Sequence, residues 1–185
     1  VKKFLMFTLT KKNADMVPGL FDFIKYYNLD GFIIERFIPW GVGRAIKETV
    51  VSLEEWKNVL KTLCEKTGVD PDISTLIPYR GFMVLAGKRK FSLFGAPCIV
   101  GIDGIAVMPD ATVFPCRRFP LNIGNLRQSP LEKIWKESGV LKNARNKSLL
   151  KGRCKGCKIK NCYGCRALAY SLTQDYLEQD TLCIL

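Results

Sequence analysis

Seven of the eight cysteines lie beyond residue 97, and the chain contains no histidine. Cys98 and Cys116 bracket a short hairpin-like stretch. Cys154, Cys157, Cys162 and Cys165 then crowd into twelve residues, and Cys183 stands third from the end. So many thiols in one half must either be cross-linked or serve as ligands, and the choice follows the redox compartment. The opening Val1-Lys2-Lys3-Phe4-Leu5-Met6-Phe7 has a basic start, but its apolar run is too short for a secretion signal and no small-residue cleavage site follows. No apolar run approaches the roughly eighteen residues of a membrane-spanning helix. The expectation is a cytoplasmic chain with ligating thiols, no membrane association, and no disulfide framework.

The spacing narrows the ligation chemistry. Cys154-x2-Cys157 makes a tight knuckle whose two sulfurs reach one metal centre, and Cys162-x2-Cys165 repeats it after only four residues. Zinc ribbons place far more chain between their knuckles, because each knuckle sits on its own hairpin. Four close thiols with three distant ones fit two iron–sulfur clusters better. Zinc stays open, since all-sulfur tetrahedral sites suit zinc and iron alike. Seven ligands are one short of two four-cysteine sets. Cys64 is separate: it sits beside Leu60 and Leu63 and reads as a small apolar core residue.

The 185 residues, 48% of them hydrophobic, suffice for one medium domain or two small ones, and two regions differ in rhythm. Over residues 1–90 strand and helix signals alternate. Residues 3–10 read as a strand, and Asn13 or Asp15 starts a helix reaching about Tyr27. Residues 32–38 form a second strand, ended by Pro39 and the turn Gly41-Val42-Gly43. Ser52 and Glu55 make a capping box for a helix with Leu53, Trp56, Leu60 and Leu63 on one face, closed by Gly68. Residues 73–78 read as a third strand. This order implies parallel strands with helical crossovers. Three such strands leave an open edge, so the region is expected to close on a missing N-terminal half, a second chain or a swapped copy. The absence of an initiator Met points the same way, to a fragment or a processed piece.

Over residues 91–185 the pattern changes. Residues 104–108 and 112–114 read as two short strands joined by Pro109-Asp110-Ala111. Ser129, Pro130 and Glu132 supply cap, first-turn proline and capping box for a helix through Trp135. A basic helical segment follows over 140–150, then the cysteine cluster, then a helix over 166–172. The formal charge is +12, and the excess is local: between Lys142 and Lys160 lie eight basic residues and no acidic one. Such a stretch suits an anionic partner, or is a solvated face beside a negatively charged metal centre. Nucleic acid is the disfavoured partner, because Tyr163 is the only base-stacking aromatic close by.

These residues carry a family resemblance. Cys98, then Pro109-Asp110-Ala111-Thr112-Val113-Phe114-Pro115-Cys116, Ile123-Gly124-Asn125, Leu131-x2-Ile134-Trp135, Gly152-x-Cys154-x2-Cys157-x4-Cys162-x-Gly164-Cys165-Arg166-Ala167 and Asp175 to Cys183 together resemble a SPASM domain. That is the auxiliary-cluster domain at the C-terminus of radical S-adenosylmethionine (SAM) enzymes. The upstream half resembles strands four to six of the radical SAM partial barrel, through element order and Phe37-Ile38-Pro39-Trp40-Gly41-Val42-Gly43.

The resemblance implies an α/β fold: an incomplete (half) parallel βα barrel over residues 1–90, followed by a small α+β cysteine-rich SPASM domain with a β-hairpin over 91–185. It assigns Cys98, Cys116 and Cys165 to a first auxiliary 4Fe-4S cluster with an open iron, and Cys154, Cys157, Cys162 and Cys183 to a second. Arg36, Gly41 and Gly43 fall on the SAM side. The family's usual glycine five before its second cysteine is Ala111 here, which strains a turn that needs positive φ. The third spacer, four residues rather than five, lies nearer to tetrapyrrole-modifying and mycofactocin-type members. The SAM-cleaving Cys-x3-Cys-x2-Cys pattern is absent, with no cysteine before Cys64. This chain alone is therefore not expected to cleave SAM; SAM and a third cluster belong to it only if the missing N-terminal half is present.

The implied function is the C-terminal part of a radical SAM oxidoreductase or maturase, its clusters serving electron transfer or substrate ligation. Haem biosynthesis and peptide modification are the candidate pathways. The implied partners are an anionic small-molecule or peptide substrate and an electron donor protein. The alternative from another class is a non-catalytic zinc module that contacts nucleic acid through the basic stretch.

Overall fold

The computed structural model describes residues 1–70 and 72–185. It divides into two compact units. One comprises residues 1–37, 43–97 and 184–185, the other residues 38–42 and 98–183.

The first unit is built on a four-stranded sheet of order β1-β2-β3-β4, with β1 Phe4–Leu9, β2 Gly31–Arg36, β3 Tyr79–Ala86 and β4 Phe91–Pro97. β1 and β2 pair in parallel, Phe4 opposite Gly31 and Leu9 opposite Arg36. Helix α1, Val17–Tyr26, makes their crossover. It buries Val17, Leu20, Phe21 and Ile24, the i, i+3, i+4, i+7 stripe that turns one helical face to a core. Phe21 meets Phe32 edge-on at 5.2 Å and Phe91 at 4.9 Å. Burying each such ring contributes about 2–3 kcal/mol before entropy is counted.

Helix α2, Leu53–Thr67, starts as its sequence demands. Ser52 accepts the Glu55 N–H, the Glu55 carboxylate accepts the Ser52 N–H at 2.6 Å, and Gly68 closes the helix at φ 67. Trp56, Val59, Leu60, Leu63 and Cys64 form the buried face. Cys64 is 1% exposed, and desolvation raises the pKa of its thiol, as expected for a packing residue.

The third strand differs from the sequence expectation. Residues 73–76 form a 3-10 turn, with the Asp72 carboxylate accepting the Ser74 N–H. The strand that follows α2 is β3, and it runs antiparallel to β2, with Phe32 opposite Val84. Asp72, Ser74 and Thr75 supply the local side-chain hydrogen bonds that favour a turn over a ladder. β3 then folds back on β4 as an antiparallel hairpin. The parallel pair β1–β2 with its helical crossover is the part of the expected architecture seen directly, within a mixed sheet.

In the second unit, β5 Ala106–Val107, β6 Thr112–Phe114 and β7 Gly124–Asn125 form a small antiparallel sheet. Two short helices follow, α3 Leu131–Glu137 and α4 Gly139–Arg145, and α5 Arg166–Thr173 comes after the cysteine loop. α3 begins one residue later than the expected capping box requires. Pro130 occupies the cap position and no side chain caps the helix. Ser138 instead caps α4, accepting the Leu141 N–H at 3.3 Å. No helix among the described residues is long and apolar enough to cross a membrane.

Candidate metal centre

Seven cysteines, all in the second unit, are brought by different elements. All eight cysteines of the chain are thiols, none joined in a disulfide. Cys98 follows directly on β4. Cys116 closes the hairpin after β6, where the Phe119 N–H donates to the Cys116 carbonyl at 2.9 Å and the Arg118 N–H points at the Cys116 Sγ, 3.4 Å away. Phe119 is fully buried and packs on the rings of Tyr170 and Tyr176, at 5.5 and 5.7 Å. The core thus fixes the turn that presents this thiol.

The hairpin itself shows the strain read from the sequence. Ala111 stands at φ 68, in the left-handed region that disfavours a Cβ. The turn holds because Asp110 braces it. Its carboxylate accepts the Thr112 N–H at 3.0 Å and the Thr112 hydroxyl at 2.9 Å, and those bonds hold its pKa below the usual carboxylate value.

The four clustered cysteines lie on a loop with almost no regular structure, stitched to its surroundings by polar contacts. Cys154 ends a 3-10 turn over Gly152–Cys154, and the Cys157 N–H reaches back to the Cys154 carbonyl at 3.4 Å. The Lys147 ammonium donates to the carbonyls of Cys157, at 2.9 Å, and Ile159, at 2.5 Å, and lies 5.5 Å from the centre of the Tyr163 ring. Cys165 sits at the N-cap of α5, where its N–H donates to the Asp180 carboxylate at 2.9 Å. Asp180 in turn binds the C-terminal segment: its other carboxylate oxygen accepts the Leu182 N–H at 3.1 Å, and its carbonyl accepts the Cys183 N–H at 3.1 Å. One aspartate, 3% exposed, therefore ties the loop bearing Cys165 to the turn bearing Cys183.

Two groups donate toward the Cys154 sulfur: the Asp180 N–H and the Arg166 Nη2, each at 3.5 Å. Gly164, at φ 67, leaves the gap in which they meet. A Cβ there would lie 3.0 Å from the Cys154 Sγ and would collide with Arg166 Nη2. The donor set is thus sulfur only, partly buried and surrounded by N–H groups, which is the environment that stabilises thiolate ligands. It fits an iron–sulfur group held by thiolates. Among the described residues no three Cys, Asp or Glu side chains close on a position for a single ion.

The basic stretch is less open than its composition suggests. Arg145 donates to the Gly101 carbonyl and stacks on Trp135 at 4.6 Å, and Lys147 is committed as described. Lys151 bonds Asp175 at 2.6 Å and Glu178 at 3.2 Å, and Arg153 donates to the Cys183 carbonyl at 3.4 Å. Lys142, Lys155, Lys158 and Lys160 remain exposed. Of the residues expected on the SAM side, Arg36 ends β2, is 2% exposed, and lies 5.4 Å from the centre of the Trp56 ring. Gly41 opens the 3-10 segment Gly41–Thr49 at φ 58, and Gly43 within it abuts the Phe37 ring, where a Cβ would stand 3.1 Å away.

Sequence reasoning did not find the roles of Asp180 and Arg166. Both stood inside the quoted motif, but their burial depends on partners 15 and 12 residues away.

Residues 98–165 match the family model of SPASM, an iron–sulfur cluster-binding domain. Over almost its whole length the chain is also similar to curated proteins named AdoMet-dependent heme synthase. The protein of Methanosarcina barkeri is 28% identical over 96% of this chain and 54% of its own length. That of Nitratidesulfovibrio vulgaris is 26% identical over 95% of this chain and 52% of its own. The chain spans about half the length of the curated relatives it matches. The chain is thus similar to proteins of the radical SAM family that carry a SPASM domain.

Proposed function

We propose that this chain is the C-terminal part of a radical SAM enzyme of haem biosynthesis and that its second unit holds two auxiliary 4Fe-4S clusters. The observation that carries the reading is the sulfur-only donor set of residues 98–183, with N–H groups aimed at Cys116 and Cys154. The name shared by the relatives supports the pathway. Cys98, Cys116 and Cys165 are the ligands of the first cluster; Cys154, Cys157, Cys162 and Cys183 are those of the second. When bound, such clusters supply one-electron transfer to or from a substrate radical.

The protein's own groups do the rest. The Phe119 core contact and the Asp110 brace hold Cys116 in place. The Asp180 carboxylate keeps Cys165 and Cys183 in fixed relation. Lys142, Lys155, Lys158 and Lys160 offer positive charge to the carboxylates of a tetrapyrrole or to an acidic electron donor protein. Arg36, Gly41 and Gly43 are each assigned to the SAM side by the family resemblance, and the parallel pair β1–β2 continues a barrel completed by the N-terminal half or by a second copy. By itself the chain does not cleave SAM.

The test is anaerobic reconstitution with iron and sulfide, followed by metal analysis and a visible spectrum. A brown protein with about seven to eight irons and broad absorption near 400 nm is expected. A colourless protein holding one or two zinc ions and no sulfide overturns the reading.

A further inference from the structure

Arg166 is among the most deeply buried side chains of the chain, at 1% exposure, and it carries a full positive charge. Its Nη1 donates to the carbonyls of Tyr176 and Glu178, at 2.8 and 2.6 Å, and its Nη2 donates to the Cys154 sulfur at 3.5 Å. Its Nε makes no hydrogen bond. Its hydrogen-bond partners among the described residues are thus two neutral carbonyls and one sulfur, with no carboxylate. The Asp180 carboxylate is buried nearby but is turned toward the N–H groups of Cys165 and Leu182.

The Asp175 carboxylate interacts with the guanidinium electrostatically but is hydrogen-bonded to Lys151 instead. A buried guanidinium with no carboxylate hydrogen-bonded to it is destabilising. Among its hydrogen-bond partners the Cys154 sulfur is the group able to supply an anion in direct contact, as a thiolate. The two carbonyls fix the plane of the fork, so the remaining N–H has one direction in which to point. Gly164 keeps that direction clear, since a Cβ at position 164 would occupy the space between Arg166 Nη2 and Cys154 Sγ.

We infer that Arg166 is a positioning residue that orients the Cys154 thiolate and raises the reduction potential of the centre Cys154 ligates. The inference rests on the reading of Cys154 as a cluster ligand. The physical basis is charge. Reduction adds an electron to the cluster, and a buried cation hydrogen-bonded to a ligand sulfur stabilises the more negative state. The solvated Lys155, next in sequence to Cys154, is screened by water and has a much weaker hold.

The experiment compares the reconstituted wild-type protein with Arg166→Gln, Arg166→Lys and Lys155→Gln. Iron content, thermal melting and EPR-monitored redox titration are measured on each. Arg166→Gln is expected to shift the oxidised-to-reduced ratio of one cluster at least tenfold toward the oxidised form, about 59 mV for one electron, with the other cluster unmoved. Arg166→Lys should recover most of that shift, and Lys155→Gln should show little.

An Arg166→Gln protein that loads fully and titrates like wild type overturns the inference. So does a Lys155→Gln shift of equal size. If Arg166→Gln melts cooperatively but loses about half its iron, restoration by Arg166→Lys supports positioning, and its failure overturns it. If neither Arg166 variant folds, the guanidinium is a structural prop and the inference is overturned. Failure of the wild-type protein to take up iron is a different result: it removes the reading on which the inference stands.

Discussion

Ala111 shows how one side chain records a compromise. The turn between β5 and β6 needs a left-handed residue, and an alanine there stores about 1 kcal/mol of backbone strain. Ala111→Gly should therefore raise stability by up to about 1 kcal/mol, visible as a higher melting temperature with unchanged iron uptake. Cys64 makes the opposite case, a thiol packed into a core. It is buried on α2, and desolvation raises its pKa, so a thiol-specific reagent should label it last in the native apoprotein. Cys64→Ala should cost about 1 kcal/mol by leaving a small cavity, while the iron content stays that of the wild type. Loss of iron in that variant would make Cys64 a ligand after all.

At the scale of elements, the irregular loop over 151–165 is held by side chains rather than by a backbone ladder. The Lys147 ammonium clamps the end of the first knuckle and the spacer after it, through the carbonyls of Cys157 and Ile159. Lys147→Met should leave β5–β7 intact but speed iron loss to a chelator, since a charged donor and two acceptors lose their bonds together. The Lys151–Asp175 bridge straps the same loop to the C-terminal segment. The Lys151 hydrogen bond holds the Asp175 carboxyl below its usual pKa, so this contribution is present above the ordinary carboxylate range and is lost as pH falls through the lowered value. Asp175 and Glu178 raise the Lys151 pKa, so on the alkaline side the contribution is present below the ordinary lysine range and lost as pH rises through the raised value. Asp175→Asn should flatten the acid limb of a stability–pH curve and trim the alkaline one. Denaturant midpoints recorded from pH 3 to 11 would show this, and an unchanged acid limb would contradict it.

On the scale of the whole molecule, the first unit presents an edge. β1 pairs with β2 alone among the described residues, and Met6 on it is 57% exposed. An edge strand of this kind, with its apolar run Phe4-Leu5-Met6-Phe7, is a template for another strand. The chain is expected to run on gel filtration above the mass of a 20.9 kDa monomer, and to become monodisperse when the matching N-terminal half of one of its longer relatives is supplied. A clean monomer would count against strand addition at β1.

The sulfur chemistry was legible in sequence because ligand spacing is a local property. Two Cys-x2-Cys knuckles, a Pro-Asp-Ala turn before Cys116 and a glycine before Cys165 set out the centre without any fold. Local hydrogen bonding likewise determined the Ser52–Glu55 capping box and the Gly68 stop. The β3–β4 hairpin also carries a local signal: a mostly apolar stretch over residues 79–86, then Gly87 and three basic residues, then Phe91, Leu93 and Phe94. The direction of β3 was not legible, because a strand's sequence does not say which edge it will join; pairing with β2 decided it. Nor could Ser129 be known to yield its capping role. The roles of Arg166 and Asp180 belong wholly to the tertiary structure. A charge beside a cysteine reads as solvated until distant carbonyls and N–H groups close over it, and only then does it act on the sulfur.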